Sequence, residues 1–240
     1  MSSIYLNSQA SSVNSPAYST NPAIEAFHKK LPYYAETPLI PLPSLAEGLE
    51  VGQIFLKDEG SRFGLPSFKI LGASWAIAQE VAKRTGLSTT APLSELSEAA
   101  HKADIKIVAC SEGNWGRAVA RMAKYLGVSA TIYVPKGGDE GARDRIADEG
   151  ADVRIAEGKY DEAVREAERE AQRTGGMLCM DVSWKGYEDF PRLVTEGYGT
   201  MLVEVERQLK ESVGKKATHV VVSVGVGSWA HAVIQYYKDE

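Results

Sequence analysis

Lys69 ends the segment Lys57-Asp-Glu-Gly-Ser-Arg-Phe-Gly-Leu-Pro-Ser-Phe-Lys69, just after a Gly-Leu-Pro-Ser turn and at the start of an apolar-periodic stretch. Phe68, Ile70 and Leu71 flank it, and apolar neighbours strip water from an amine. A partly desolvated amine favours its neutral, nucleophilic form, which is the form that condenses with an aldehyde as a Schiff-base lysine. A lysine on the polar edge of an amphipathic helix gives the same local pattern without any chemistry. The weight of the assignment therefore rests on what accompanies it.

Two loops accompany it. Ser111-Glu112-Gly113-Asn114-Trp115-Gly116-Arg117 joins a predicted strand to a predicted helix. Its glycines let backbone approach a ligand, Asn114 offers a bidentate amide, and Glu112 brings a carboxylate to the same rim. A plain strand-to-helix turn with a capping residue explains that loop equally well. Gly225-Val226-Gly227-Ser228 follows an apolar stretch ending at Val224 and precedes a helical pattern. Small residues there expose backbone N–H groups at a helix N-terminus, where a phosphate binds readily. A dinucleotide fold would suit it too, but no third glycine completes that fingerprint.

These groups need a scaffold, and the periodicity supplies one. Residues 53–57 read as a strand and 67–84 as a helix carrying Ile70, Leu71, Ala73, Ile77, Ala78 and Val81 on one face. A Ser/Thr/Ala-rich crossover with one short helix covers 86–102. Strands at 105–110, 130–134, 152–156 and 177–180 then alternate with helices at 115–126, 139–149 and 160–174. The last of those helices carries many Glu and Arg, read as a solvated face. A long helix over 191–211 leads to a strand at 218–224. Alternation of this kind predicts parallel strands, right-handed crossovers and an open α/β sheet. Ligands of such sheets sit beyond the carboxyl ends of the strands, where both loops fall. The run 104–182 has four strands of its own and is expected to be a smaller subdomain. Residues 35–103 and 183–240 would form the larger one, and 1–34 a flexible arm and first helix.

With 240 residues, 44% of them hydrophobic and a net charge of -5, the chain has the composition of an ordinary globular protein. It lacks a basic surface for nucleic acid, and no apolar run approaches membrane-spanning length. The first 21 residues hold no Lys, Arg, Asp or Glu and no apolar core, so neither a secretory nor a mitochondrial leader is expected. A cytoplasmic protein is the expectation. Cys110 and Cys179 each end an apolar run and read as packing thiols, and no metal site is expected.

An aldehyde anchor, a ring-contacting loop and a phosphate cradle together are the equipment for pyridoxal 5'-phosphate, an electron sink for carbanions. The residues behind that set run in family order. They are K-D-E-x-x-R-F-G-L-x-x-F-K at 57–69, G-N-x-G-R at 113–117, Y-V-P-K-G at 133–137, D-x-x-W-x-G-Y at 181–187, G-Y-x-T at 197–200 and V-G-V-G-S at 224–228. On these the chain resembles the diaminopropionate ammonia-lyases, of the tryptophan-synthase-β-like (fold type II) enzymes, over roughly residues 35–235. The serine/threonine dehydratases share only the S-F-K element.

The resemblance implies a two-subdomain α/β fold and α,β-elimination of ammonia from 2,3-diaminopropionate or a related β-substituted amino acid, giving pyruvate and ammonia. It makes Lys69 the Schiff-base lysine and gives Asn114 the cofactor ring hydroxyl. It gives Gly225, Val226, Gly227 and Ser228 the phosphate. Lys69 would act as base toward one enantiomer and Glu112 toward the other, with Asp181 assisting the substrate amine or leaving group. A capping role for Asp181 is its rival. The family's D-G-N-H-G-R reads Glu112-Gly-Asn-Trp115-Gly-Arg here: a carboxylate one methylene longer, and an indole where an imidazole is expected. The chain also stops at Glu240, one helix past the phosphate loop, whereas the family continues. The expectation is a C-terminally shortened chain, working as a homodimer or with a complementing chain. The alternative is a repurposed, non-catalytic protein of this fold acting on another ligand or as a partner subunit.

Overall fold

The computed structural model describes residues 21–238. The arm expected over the first 21 residues lies, but for Asn21, outside the described residues. The Asn21 side chain accepts from the Ala23 N–H at 3.0 Å and so caps α1 (Pro22–His28). Next come β1 (Leu39–Pro41), α2 (Pro43–Gly48) and β2 (Phe55–Lys57), then α3 (Lys69–Thr85) and α4 (Leu93–Lys102). The alternating series follows: β3 (Ile107–Cys110), α5 (Asn114–Leu126), β4 (Ala130–Val134), α6 (Glu140–Ala147), β5 (Asp152–Ile155), α7 (Tyr160–Thr174) and β6 (Met177–Leu178). Finally come α8 (Asp189–Gly197), α9 (Gly199–Val213) and α10 (Ser228–Lys238).

Strands β3 to β6 make one parallel sheet in the order β5-β4-β3-β6. A parallel sheet must be covered on both faces, and β3 shows how. Ile107 and Ala109 enter the large core shared with α3, α4 and α5, while the alternate residues Val108 and Cys110 pack with Ala163, Ala167 and Ala171 of α7. That four-residue alanine spacing is the buried stripe under the charged face of α7. The chain steps one way through β3, β4 and β5 and then back past β3 to β6. Right-handed crossovers therefore put α5 and α7 on opposite faces. The strand order reverses between β3 and β6, and open parallel sheets take their ligands beyond the carboxyl ends of the strands at such a point.

Three sequence expectations are corrected. The strand at 53–57 exists as β2 but pairs antiparallel with β1, outside the parallel sheet. Its partner was hidden because Pro41 sits in it, and proline is tolerated only on such edges. The helix expected over 191–211 is two, broken at Tyr198. There α8 meets α3 so closely that a Cβ on Gly197 would lie 2.5 Å from the Leu71 carbonyl oxygen, and one on Gly72 would lie 2.7 Å from the Tyr198 ring and from Val194. The G-Y-x-T stretch is thus a helix-crossing device. The strand expected at 218–224 does not form. Residues 215–226 make no backbone hydrogen bond to another described segment, and Val221 is 97% exposed. An apolar run becomes a strand only beside a ladder partner, which no described strand provides.

The charges of 57–62 hold architecture. Arg62 is fully buried and donates to both carboxylate oxygens of Glu204 (2.8 and 2.7 Å), to Glu59 (2.8 and 2.7 Å) and to Thr37 (2.9 Å). Lys57 Nζ reaches the same Glu204 carboxylate at 2.8 Å. Burial pushes the Glu204 carboxyl up, but these hydrogen bonds outweigh it and hold it below its ordinary range.

Buried His28 ties α1 to the helix crossing: Nδ1 lies 2.7 Å from Thr200 Oγ1 and Nε2 lies 3.0 Å from the Leu71 carbonyl oxygen. A carbonyl only accepts, so Nε2 carries the proton and Nδ1 accepts from Thr200. Burial pushes the imidazole pKa down to about 3 from 6.5. The unfolded histidine takes up a proton near 6.5 and the folded one does not. Its contribution is therefore fully present above that pH and is lost as pH falls toward 3. The expected slope is about 1.4 kcal/mol per pH unit below 6.5. Urea midpoints measured from pH 7 to 5 check it. His28→Gln should flatten the slope, and an unchanged slope would assign the pH dependence elsewhere.

Candidate active site

Lys69 is the first residue of α3, and its backbone N–H is met by Ser67 Oγ at 3.2 Å. The segment leading to it is pinned at two points. Arg62 is clamped as described, and Phe63, fully buried, takes a left-handed conformation (φ 54°) while its carbonyl accepts from Arg121 Nη1 at 3.0 Å. A bulky residue in that region is strained, and the strain sits beside the lysine turn. Arg121 and Arg117 are themselves held by the buried carboxylate of Glu149. The arginine of G-N-x-G-R is therefore a structural anchor.

Lys69 Nζ forms a direct ion pair with Asp181 Oδ2. The Lys69 side chain keeps 22% of its surface exposed and Asp181 only 3%, so the pair opens to solvent from the lysine side. Asp181 lies just past β6, and its segment is tied on several sides. The Tyr187 hydroxyl donates to the Leu178 carbonyl at 2.7 Å and accepts from the Met180 N–H at 3.0 Å. Trp115, in the first turn of α5, donates its indole N–H to the Cys179 carbonyl at 3.0 Å. The same ring has its centroid 5.9 Å from Lys69 Nζ.

Glu112, on the loop after β3, and Asn114, the first residue of α5, stand exposed, and among the described residues neither side chain has a hydrogen-bond partner. The charges of Glu112 and Asp181 both act on buried Cys110 and half-buried Tyr160. Burial pushes the Cys110 thiol up to about 12, and the charges of both carboxylates add to it. The Tyr160 phenol is raised by burial and then by Cys110, Asp181 and Glu112. Neither thiol is a nucleophile in these surroundings, as expected of packing cysteines.

The 225–228 loop opens α10. Gly227 has φ +100°, accessible cheaply only to glycine, and a Cβ on Gly225 or Gly227 would enter open space. Ser228 Oγ at the helix start and the Tyr198 hydroxyl are both buried; they lie close enough to act on one another, but neither makes a well-formed hydrogen bond among the described residues. An aromatic cluster joins this loop to the lysine turn. Phe68, just before Lys69, lies 5.2 Å from both the Trp229 and Tyr198 rings, and Tyr198 lies 5.9 Å from Trp229. The structure thus brings Lys69 to Asp181 directly and to the 225–228 loop through this cluster. The pinning residues Trp115, Phe68, Tyr198 and Trp229 were missed as site elements. Their only sequence signal was that they fall within or beside the matched motifs. Among the described residues no group of three or more His, Cys, Asp or Glu could hold a metal ion. No described helix is long and apolar enough to cross a membrane.

The structure thus places a lysine beside a carboxylate at the reversal point of a parallel α/β sheet, with a glycine loop at a helix N-terminus joined to it through the aromatic cluster. The family described as pyridoxal-phosphate dependent enzyme matches residues 30–240, and the chain belongs to it. The diaminopropionate ammonia-lyase of Salmonella typhimurium is 40% identical over 219 residues, which are 90% of this chain and 54% of that protein. The Escherichia coli protein of that name is 37% identical over 94% of this chain and 57% of its own length. The apo crystal structure of the Escherichia coli diaminopropionate ammonia lyase superposes with a TM-score of 0.88 at 36% identity, covering 94% of this chain and 62% of that one. The chain spans a little over half the length of the curated relatives it matches.

Proposed function

We propose that this chain carries the lysine, carboxylates and phosphate loop of a pyridoxal-phosphate dependent lyase. Its reaction is elimination of ammonia from 2,3-diaminopropionate or a related β-substituted amino acid, giving pyruvate and ammonia. The observation that carries the reading is the Lys69–Asp181 pair at the sheet's reversal point. The residues fit the cofactor: Ser228 Oγ is a buried hydroxyl without a well-formed hydrogen bond, beside backbone that only glycine adopts cheaply, at a helix N-terminus. Gly225, Val226, Gly227 and Ser228 would hold the phosphate, Asn114 the ring hydroxyl and Lys69 the aldehyde carbon. When bound, the cofactor supplies an electron sink for negative charge at Cα.

The chain's own groups do the proton work. Lys69 Nζ takes the Cα proton of one enantiomer, and Glu112 takes that of the other. Asp181 Oδ2 orients Lys69 and carries the proton that leaves with the β-amino group. The Phe68–Trp229–Tyr198 cluster fixes the phosphate loop relative to the lysine. Residues 104–182 serve as the smaller subdomain, presenting Glu112, Asn114 and Asp181 to Lys69 of the larger. Exposed apolar residues such as Val221, Val224, Ile40 and Leu56 support a homodimer or a complementing chain, and two buried free cysteines support a reducing, cytoplasmic setting.

Purified protein given pyridoxal phosphate and diaminopropionate should release two ammonia for each pyruvate, one from the β-amino group and one from hydrolysis of the α-imine. Gly227→Asp puts a side chain and a negative charge into the open space at the loop, and its cofactor retention on a desalting column should fall at least about a hundredfold. Unchanged retention in a folded Gly227→Asp protein would give the loop another role. No pyruvate from a cofactor-loaded wild type would leave the repurposed reading standing.

A further inference from the structure

We propose that Trp115 is a positioning residue that locks Asp181 against Lys69, in the place where the family pattern has an imidazole. Two observations on one side chain carry this. Its indole N–H holds the Cys179 carbonyl at 3.0 Å, two residues before Asp181, and its ring lies 5.9 Å from Lys69 Nζ. Trp115 is 4% exposed, so that hydrogen bond is formed away from water and an unmet partner there is costly. The ring face attracts a cation within about 6 Å. One residue thereby acts on both halves of the pair: the segment just past β6 that leads to the carboxylate, and the amine.

An indole has no basic nitrogen, so it moves no proton, and its contribution is geometric. The first turn of α5 makes the placement possible. A Cβ on Gly116 would lie 2.9 Å from the Ser111 side chain and 3.0 Å from Ile132 and Ile146, so the helix start sits hard on the sheet. The adjacent Trp115 side chain then spans from β3's loop to the end of β6. The bearing of this lock on catalysis rests on the function proposed above, but the lock itself does not.

The test uses the purified chain without cofactor. Lys69 is acetylated competitively with trace acetic anhydride, and its labelling is read by mass spectrometry against exposed lysines of the same molecule. An amine held in an ion pair acylates slowly. W115F keeps a ring but removes the N–H, and should raise Lys69 labelling by about three- to tenfold, the worth of one buried hydrogen bond. D181N should raise it at least as much. The double variant W115F/D181N should match D181N alone, because Trp115 acts through Asp181. Wild-type labelling in W115F, or independent multiplication of the two effects, overturns the proposal; a general loosening of the fold would raise the exposed-lysine and Lys69 signals without that pattern. Should W115F not fold, D181N decides. By reciprocity it must speed hydrogen exchange at the Trp115 indole, and an unchanged exchange rate overturns the proposal. A chain that binds no pyridoxal phosphate would sink the proposed function and leave this measurement intact.

Discussion

Lys69→Arg should fold, keep its ion pair with Asp181, and yield no borohydride-trapped cofactor adduct. Arginine retains the positive charge but remains protonated at any working pH, so it cannot attack an aldehyde. The variant therefore separates the chemistry of the amine from the packing of the cation. Lys69→Ala is the blunter test, since it leaves a 3%-exposed carboxylate without its counter-charge and costs stability as well. Turnover in Lys69→Arg should fall by on the order of 10⁴ or more, because one change removes the covalent anchor and a general base, the latter alone worth about 10²–10⁴. Purified wild type incubated with pyridoxal phosphate should show an absorption band that borohydride bleaches, with the mass of a pyridoxyl group on the peptide containing Lys69. A trapped label that persists on another lysine in Lys69→Arg would move the anchor elsewhere.

Much of this could be read from the chain because the signals are local. The alternation from 105 to 180 fixes strands and helices to within two or three residues at their ends, because period-two and period-3.6 patterns are set by neighbours in sequence. The lysine turn and the glycine loop were equally legible, since φ at Gly227 and the Pro66 turn are properties of a few adjacent residues. What stayed hidden depends on distant partners. Residues 191–211 look like one helix until α3 arrives within backbone contact of Gly197. Residues 218–224 look like a strand, yet a strand needs a neighbour. Arg62, read as one letter of a motif, is a fully buried cation, and its main partner Glu204 lies 142 residues away. Trp115 registered only as a departure from the family pattern. That it bridges Cys179 and Lys69 follows from the adjacency of β3 and β6, a fact of topology and not of any local stretch.

Glu112→Gln should divide the two enantiomers of the substrate. The glutamine keeps the size and hydrogen-bonding capacity of the side chain and loses only its ability to accept a proton. On the proposed function Lys69 would anchor the cofactor for either enantiomer, so its loss should stop both, whereas Glu112 would serve only the Cα proton that faces away from Lys69. Glu112 is exposed on the loop after β3, while Asp181 is paired with Lys69, and the charges of both carboxylates act on Cys110. Release of pyruvate from D- and L-diaminopropionate is measured for wild type and variant at saturating cofactor. The D-enantiomer should lose on the order of 10²–10⁴ in kcat, the range for a general base, while the L-enantiomer changes by less than about threefold. Cofactor affinity should stay at the wild-type value, because Glu112 lies outside the phosphate loop. Equal losses on both substrates would make Glu112 a structural residue of the loop after β3 and leave the second base to be found elsewhere. A loss confined to KM would instead give it a role in holding the substrate's amines, since removal of uniform binding raises KM and leaves kcat unchanged.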